Sequence, residues 1–199
     1  MLAPVSTVVA IVCGYLLGSI PVAGFIARRH GVDDLRTVGD QNPGFWNAAA
    51  LLGWRAALPV FVGDVAKGAT AAAVGAALAD GRWWLPVVGT GAAMVGHAWP
   101  VFARFRGGRS VLTFVGGALV ISPVTAAVSI AAALLTWAIS RRFEWAARVG
   151  IFGYPVIQLV VDGPARTAAT GALMTFIGLR FGQAYRASRR PAHAMSDGV

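Results

Sequence analysis

The chain has 199 residues, 57% of them hydrophobic and only 13% charged, whereas a soluble domain carries roughly 25% charged residues, so composition excludes an ordinary water-facing surface. The net charge of +9 comes with no nucleic-acid motif and with basic residues scattered among apolar segments. It reads as topology, because lysine and arginine hold loops on the cytoplasmic side, and nucleic acid is not expected as a partner.

Taken in chain order, apolar segments of near-helical length run over 5–27, 56–79, 83–103, 111–121, 124–140, 147–161 and 165–181. Crossing the hydrocarbon core takes about 20 residues. The first segment has no basic residue before it and Arg28 and Arg29 after it, which reads as a retained transmembrane helix rather than a cleaved leader. The fourth is too short to span alone, and Pro123 separates it from the fifth. It is expected as a short helix inside the bundle or as half of one kinked span. Seven crossings with the N-terminus outside put the arginines of 28–55, 104–109, 141–148 and the tail inside, and leave only Arg82 and Arg166 outside. The expectation is therefore an all-α, polytopic membrane helix bundle of about seven transmembrane helices. Residues 1–187 form a single membrane domain and 188–199 a disordered cytoplasmic tail.

The lone cysteine, Cys13, sits in an apolar run, so neither a disulfide framework nor a thiolate metal site is expected. Gly14 and Gly18, and Gly178 and Gly182, have the spacing that lets helices approach closely in lipid, which also allows a helix-mediated homo-oligomer. Trp83, Trp84, Trp99 and Trp137 near segment ends fit an interfacial belt.

Three places carry candidate chemistry. The loop 31–47 reads GVDDLRTVGDQNPGFWN, with turn formers at Gly39, Pro43 and Gly44 and amides at Asn42 and Asn47. The stretch 96–110 ends in Gly107-Gly108-Arg109-Ser110 just before an apolar segment. A Gly-Gly turn opening a helix exposes N–H groups to an anion, and Arg109 adds a bidentate phosphate donor. His97 lies in the helix before it. Asp64 and Lys67, three apart, share one helix face and are expected as a structural pair turned into the bundle. H-E-x-x-H, G-x-S-x-G, Walker A and H-x4-D sequences are all absent, and few carboxylates make a metal site unexpected.

These residues fall into a pattern. Gly18-Ser19-Ile20-Pro21, Gly24 and Asp34-Leu35-Arg36-x-x-Gly39-x-x-Asn42-x-Gly44-x-x-Asn47 form its first part, with Asp64-x-x-Lys67-Gly68 following. Gly96-His97-x-x-Pro100-Val101-Phe102-x-x-Phe105-x-Gly107-Gly108 completes it. The pattern resembles the bacterial acyl-phosphate-dependent glycerol-3-phosphate acyltransferases, the PlsY family. The resemblance implies a multi-pass protein of the bacterial cytoplasmic membrane with its active loops on the cytoplasmic side. Such a protein moves a fatty acyl group from acyl phosphate to glycerol 3-phosphate, giving lysophosphatidic acid in phospholipid synthesis. No cofactor or metal is implied, and membrane lipid is the remaining partner. Mapped onto this chain, Arg109 and Asn42 are expected to be catalytic. Gly39, Gly44, Asn47, His97, Gly107, Gly108, Ser110 and Arg180 are expected to bind substrate.

The chain departs from the family pattern at several points. Asp40 stands where the family has serine, Ala50 where it has arginine, and Arg109 where it has lysine. Arg180 and Gln183 lie nearest the histidine and asparagine of its C-terminal motif. Three readings stay open: an active divergent enzyme, a silent relative that binds lipid or a partner, and an acyltransferase with another phosphorylated acceptor.

Overall fold

The structure, a computed structural model, describes residues 3–188. Among these residues there are helices and no strand. In order they are α1 (Ala3–Gly18), α2 (Val22–Arg29), α3 (Phe45–Leu52), α4 (Trp54–Ala77), α5 (Leu85–Ala98), a 3-10 turn (Val101–Ala103), α6 (Val111–Ile121), α7 (Pro123–Ser140), α8 (Phe143–Val161) and α9 (Pro164–Ser188). By length and composition, 4–29, Trp54–Ala77 and Pro123–Ser140 are long and apolar enough to cross a membrane. The expected tail, apart from Ser188 at the end of α9, lies outside the described residues.

Several boundaries differ from the sequence expectation. The first apolar segment is two helices, because Pro21 has no N–H to continue the ladder and the Ser19 hydroxyl donates back to the Tyr15 carbonyl at 2.8 Å. The third segment ends at Ala98, where Pro100 stops it and a short 3-10 turn follows. The loop 31–47 closes early: α3 begins at Phe45, so Asn47 stands on a helix. The last helix runs seven residues beyond 181, to Ser188.

Glycines set how closely the helices pack. A Cβ at Gly14 would press on the Gly89 carbonyl, and one at Gly18 would overlap the carbonyl of Ala93 on α5. The first G-x-x-x-G pair is thus spent inside the chain, whereas the space around Gly178 and Gly182 is open. Cβ atoms at Gly68 and Gly116 would overlap the carbonyls of Thr113 and Val65, so α4 and α6 approach backbone to backbone. At 1.5 Å per residue α6 is about 16 Å long, well short of the ~30 Å core. It is a separate short helix packed inside the bundle. Ser122 divides it from α7 in an extended, non-helical conformation.

Two buried clusters follow. Ala23, Ala27, Leu35, Ala48, Ala57 and Val60 clamp the 31–44 loop onto α2, α3 and α4. Met94, Phe114, Ala118, Ala126 and Tyr154 join α5 and α6 to α7 and α8. Trp83, Trp84, Trp99 and Trp137 present their rings on the outside of the bundle.

Candidate active site

Asn47 organises the first loop. Its Nδ2 donates to the carbonyls of Leu35 and Val38, both at 2.9 Å, and its Oδ1 accepts the Asp40 N–H at 3.2 Å. Gly39 has φ of +61°, and a Cβ there would collide with that same Oδ1. This accounts for the glycine–asparagine spacing: a side chain at 39 would evict the amide that holds the turn. Replacing Asn47 with alanine leaves two carbonyls and one N–H without partners, at about 1–3 kcal/mol for each group that stays buried. The Asn47→Ala protein is expected to unfold earlier in detergent and to lose activity at least tenfold, read by thermal unfolding and turnover.

Arg36 stitches this loop to the next. Its Nε donates to Asp34 Oδ1 at 2.7 Å, and one Nη reaches the Ala103 carbonyl at 3.2 Å and that of Arg106 at 3.4 Å. The guanidinium hydrogen bond holds the Asp34 carboxyl below its ordinary value of 3.8. A lowered carboxylate contributes stability above its unfolded pKa and loses it as pH falls through the folded one. This loop contact is therefore complete at neutral pH and weakens only in strong acid.

The second loop folds back on the helix that precedes it. The Gly107 N–H donates to the Ala98 carbonyl at 3.1 Å, and the Gly108 N–H to that of His97 at 3.0 Å. This corrects the sequence expectation, because these two N–H groups are already used and are not presented to an anion. The donors left for a phosphate are those of the first turn of α6, which no helix can satisfy internally. Ser110 caps that turn at φ of +64°, with its hydroxyl donating to the Met94 carbonyl at 2.8 Å. Gln41, Arg104, Phe105 and Ser110 all lie in the left-handed region, a clustering of backbone strain that marks functional loops.

Arg109 points back to the first loop. Its Nη1 lies 3.0 Å from Asp40 Oδ2, and its guanidinium sits 4.8 Å over the Phe181 ring. Asp40 Oδ1 accepts the Asn42 N–H at 3.1 Å. The carboxylate that replaces the family's serine is therefore neutralised by the cation beside it. Arg180 donates to the Gly108 carbonyl at 3.4 Å, stacks 4.8 Å over Trp99 and donates to Gln183 at 2.8 Å.

Asp64, Lys67 and His97 form a buried ionisable cluster. Lys67 Nζ is 2.8 Å and His97 Nδ1 3.6 Å from Asp64 Oδ1. The pairing expected from sequence is present, and His97 joins it. A Cβ on Gly108 would meet His97 Nε2 and lie 3.2 Å from Asn42 Oδ1, so the bare glycine keeps these two side chains facing one another.

Two cavities open on this cluster. One, of about 320 Å³, is the more polar of the two and is lined by Arg28, Arg36, Lys67, Arg104 and Arg106 against Asp33, Asp34 and Asp64. Five cations against three carboxylates leave it an attractor for anions. The other, of about 1070 Å³, is an apolar groove between α6, α7, α8 and α9, with Arg109, Asn42 and Ser110 at its mouth. Asp64 and His97 line both cavities.

The expected site residues thus divide by place. Gly107, Gly108 and His97 line the polar cavity, while Asn42, Gly44, Arg109, Ser110 and again His97 line the groove. Arg180 reaches the wall through Gly108, whereas Gly39 and Asn47 line neither cavity and shape the loop. Sequence reasoning set aside Asp64 and Lys67 as structural, yet both line the polar cavity. The signal for them was the cost of two charges in an apolar helix. Among the described residues no group of three or more side chains suited to a metal ion occurs.

Comparison with known proteins places this geometry. A family model described as glycerol-3-phosphate acyltransferase matches residues 8–188. Glycerol-3-phosphate acyltransferase 5 of Dehalococcoides mccartyi is 41% identical over 128 residues, which is 64% of this chain and 54% of that protein. The glycerol-3-phosphate acyltransferase of Rubrobacter xylanophilus is 41% identical over 116 residues, 58% of this chain and 57% of the relative. The match thus spans little more than half the length of these relatives. It extends to 82% of this chain and 81% of the glycerol-3-phosphate acyltransferase of Thermus thermophilus, at 37% identity. The crystal structure of PlsY (YgiH), an integral membrane glycerol 3-phosphate acyltransferase in its glycerol 3-phosphate form, superposes with a TM-score of 0.78 at 28% identity. That comparison covers 91% of this chain and 90% of the other. Its lysophosphatidic acid form gives a TM-score of 0.76 at 26% identity. With the family model running from the first helix to the last, the chain belongs to the glycerol-3-phosphate acyltransferase family.

Proposed function

We propose that the protein transfers a fatty acyl group from acyl phosphate to the 1-hydroxyl of glycerol 3-phosphate, giving lysophosphatidic acid and inorganic phosphate. The observation that carries this reading is the shared wall of the two cavities. A small cationic chamber and a long apolar groove meet at Asp64 and His97, as a reaction between a small anion and a lipid requires.

In this reading glycerol 3-phosphate enters the polar cavity with its phosphate among Arg36, Arg104 and Arg106. Its hydroxyl donates a hydrogen bond to His97 Nε2, with the Asp64 carboxylate 3.6 Å from the ring's Nδ1. The acyl chain lies in the groove, and its phosphate sits at the mouth against Arg109 and the first turn of α6. The hydroxyl oxygen attacks the acyl carbonyl carbon, and the carbonyl oxygen gains negative charge beside Arg109 and Asn42. Collapse breaks the bond from carbon to the phosphate oxygen, and the hydroxyl proton leaves on the departing phosphate. The donor is already activated, so positioning and fixed charge supply the catalysis without a cofactor or metal.

We further place the protein in the bacterial cytoplasmic membrane with seven crossings and the N-terminus outside. The support is that Arg28, Arg36, Arg104, Arg106 and Arg109 gather at one end of the bundle around the cavities. Arg82, which donates to Ser6 at 2.8 Å, and Arg166, which reaches the Ile121 carbonyl at 3.4 Å, stand at the other. The enriched end is the cytoplasmic one.

The test is direct. Purified protein in detergent, given palmitoyl phosphate and glycerol 3-phosphate, should form lysophosphatidic acid and phosphate in equal amounts. Folded protein that forms neither refutes the reading, and turnover only with another phosphorylated acceptor moves the substrate.

Asp40 supplies a finer prediction. In the resting site it competes with the donor phosphate for Arg109, and partly exposed ion pairs are worth about 0.2–1 kcal/mol. Asp40→Asn keeps an acceptor for the Asn42 N–H and removes the charge. The KM for acyl phosphate is expected to fall about 2–5-fold by that energy, in initial-rate measurements at fixed glycerol 3-phosphate.

A further inference from the structure

The apolar groove has a floor. Its walls can be followed away from Arg109 along two helices. On α6 the lining runs from Ser110 to Leu119, nine positions or about 14 Å of helix. On α8 it runs from Ala146 to Tyr154, eight positions and about 12 Å. The walls close where Ala118 and Ala126 share one buried cluster with Tyr154 and Phe114, and the Tyr154 ring meets that of Phe114 edge to face with centroids 5.8 Å apart. Both rings are buried and both line the groove.

Immediately beyond Tyr154 the interior changes character. Gln158, one turn further on α8, is fully buried. Its amide nitrogen Nε2 donates to the Ser122 hydroxyl at 2.8 Å and to the Tyr154 hydroxyl at 3.3 Å. The Thr170 hydroxyl of α9 donates to its Oε1. Thr125 donates to Asp162 at 2.7 Å, and Arg166 reaches the same carboxylate at 3.5 Å. This layer ties α7, α8 and α9 together with its polar groups satisfied, and a hydrocarbon tail entering it would break those hydrogen bonds with nothing to replace them. Tyr154 stands at the boundary, with its ring toward the groove and its hydroxyl held by the polar layer.

We propose that Tyr154, backed by the Gln158–Ser122–Thr170 layer, is the stop for the methyl end of the acyl chain and so sets which chain lengths the enzyme accepts. The inference rests on the reading that the acyl chain occupies this groove. A chain that reaches the floor fills the groove. A longer one must bend at the mouth and pull its carbonyl away from His97, while a shorter one leaves apolar wall uncovered. A methylene in an apolar pocket changes kcat/KM by about 10–200-fold, which is enough to give a sharp profile.

The experiment compares lauroyl, myristoyl, palmitoyl and stearoyl phosphates as donors for the parent chain, Tyr154→Phe, Tyr154→Ala and Ala147→Phe. Ala147 lines the groove seven positions before Tyr154, so phenylalanine there narrows the path without touching the floor. Tyr154→Phe keeps the ring and should keep the chain-length optimum. Tyr154→Ala should move the optimum longer by two methylenes or more. If it does not fold, Tyr154→Leu should move it in the same direction by a smaller step. Ala147→Phe should move it shorter. An unchanged optimum in folded Tyr154→Ala or Tyr154→Leu, with the shorter optimum of Ala147→Phe still seen, overturns the floor and leaves the groove as the acyl site. An unchanged profile in all variants overturns both.

Discussion

Arg109→Ala is expected to lower kcat/KM for acyl phosphate about 10²–10³-fold, the usual cost of losing one donor to a developing oxyanion, while the protein stays folded. The guanidinium has one ion pair, to Asp40, and one ring contact, on Phe181. Both are at the partly exposed mouth of the groove, where substitutions usually change stability by less than about 0.5 kcal/mol. What the alanine removes is the cation that lines the groove at its mouth. Arg109→Lys should recover part of the rate, because charge is kept while the planar fork is lost. The check is lysophosphatidic acid formation at several donor concentrations beside a thermal unfolding curve in detergent. A folded Arg109→Ala protein within threefold of the parent removes Arg109 from the reaction.

The second large effect belongs to Lys67. Its Nζ lies 2.8 Å from Asp64 Oδ1, and both side chains are about 95% buried. Lys67→Met leaves a carboxylate in the bundle facing only the more distant His97. Breaking a buried pair by removing one partner costs about 3–5 kcal/mol, so a large fall in unfolding temperature or in folded yield is expected. The double variant Asp64→Leu with Lys67→Met removes both charges and should regain most of that stability, since apolar replacement of a buried pair is often neutral. It should not regain turnover, because Asp64 and His97 line both cavities where they meet. Double-variant protein that is both stable and fully active would make the pair structural alone.

How far the fold and the site were legible depends on the range of the interactions concerned. Near-helical apolar runs and Pro123 are local signals, and they located α4, α6 and α7 to within a few residues. The break at Ser19–Pro21 was less visible, because Pro21 sits within an otherwise continuous apolar run over 5–27. The glycines and asparagines of the first loop were legible as a pattern but not in their division of labour. Asn47 looks like a ligand in sequence and proves to be the loop's own fastener. The Gly107-Gly108 turn misled in the opposite way, because a residue type that permits close approach does not say what approaches. Here it is the carbonyl end of α5. Asp40 was legible only as a departure from the family pattern, and only the fold shows Arg109 paired with it. The apolar groove was invisible as a unit, since α6 to α9 supply most of its wall, α3 and α4 add Phe45, Trp46 and Phe61, and most of the lining residues are ordinary apolar ones.

The proposed reaction requires two substrates to reach Asp64 and His97 from different cavities, the anion from one and the hydrocarbon from the other. A non-hydrolysable acyl phosphonate with a photoreactive diazirine at its methyl end, irradiated in the presence of glycerol 3-phosphate and mapped by mass spectrometry, tests this most directly. The labels should fall on α6 to α9 near Ala118, Ala126, Tyr154 and Met174, and should move toward the mouth in Ala147→Phe. Labels spread over the lipid-facing surfaces of α1 and α4, unchanged by that substitution, would contradict it.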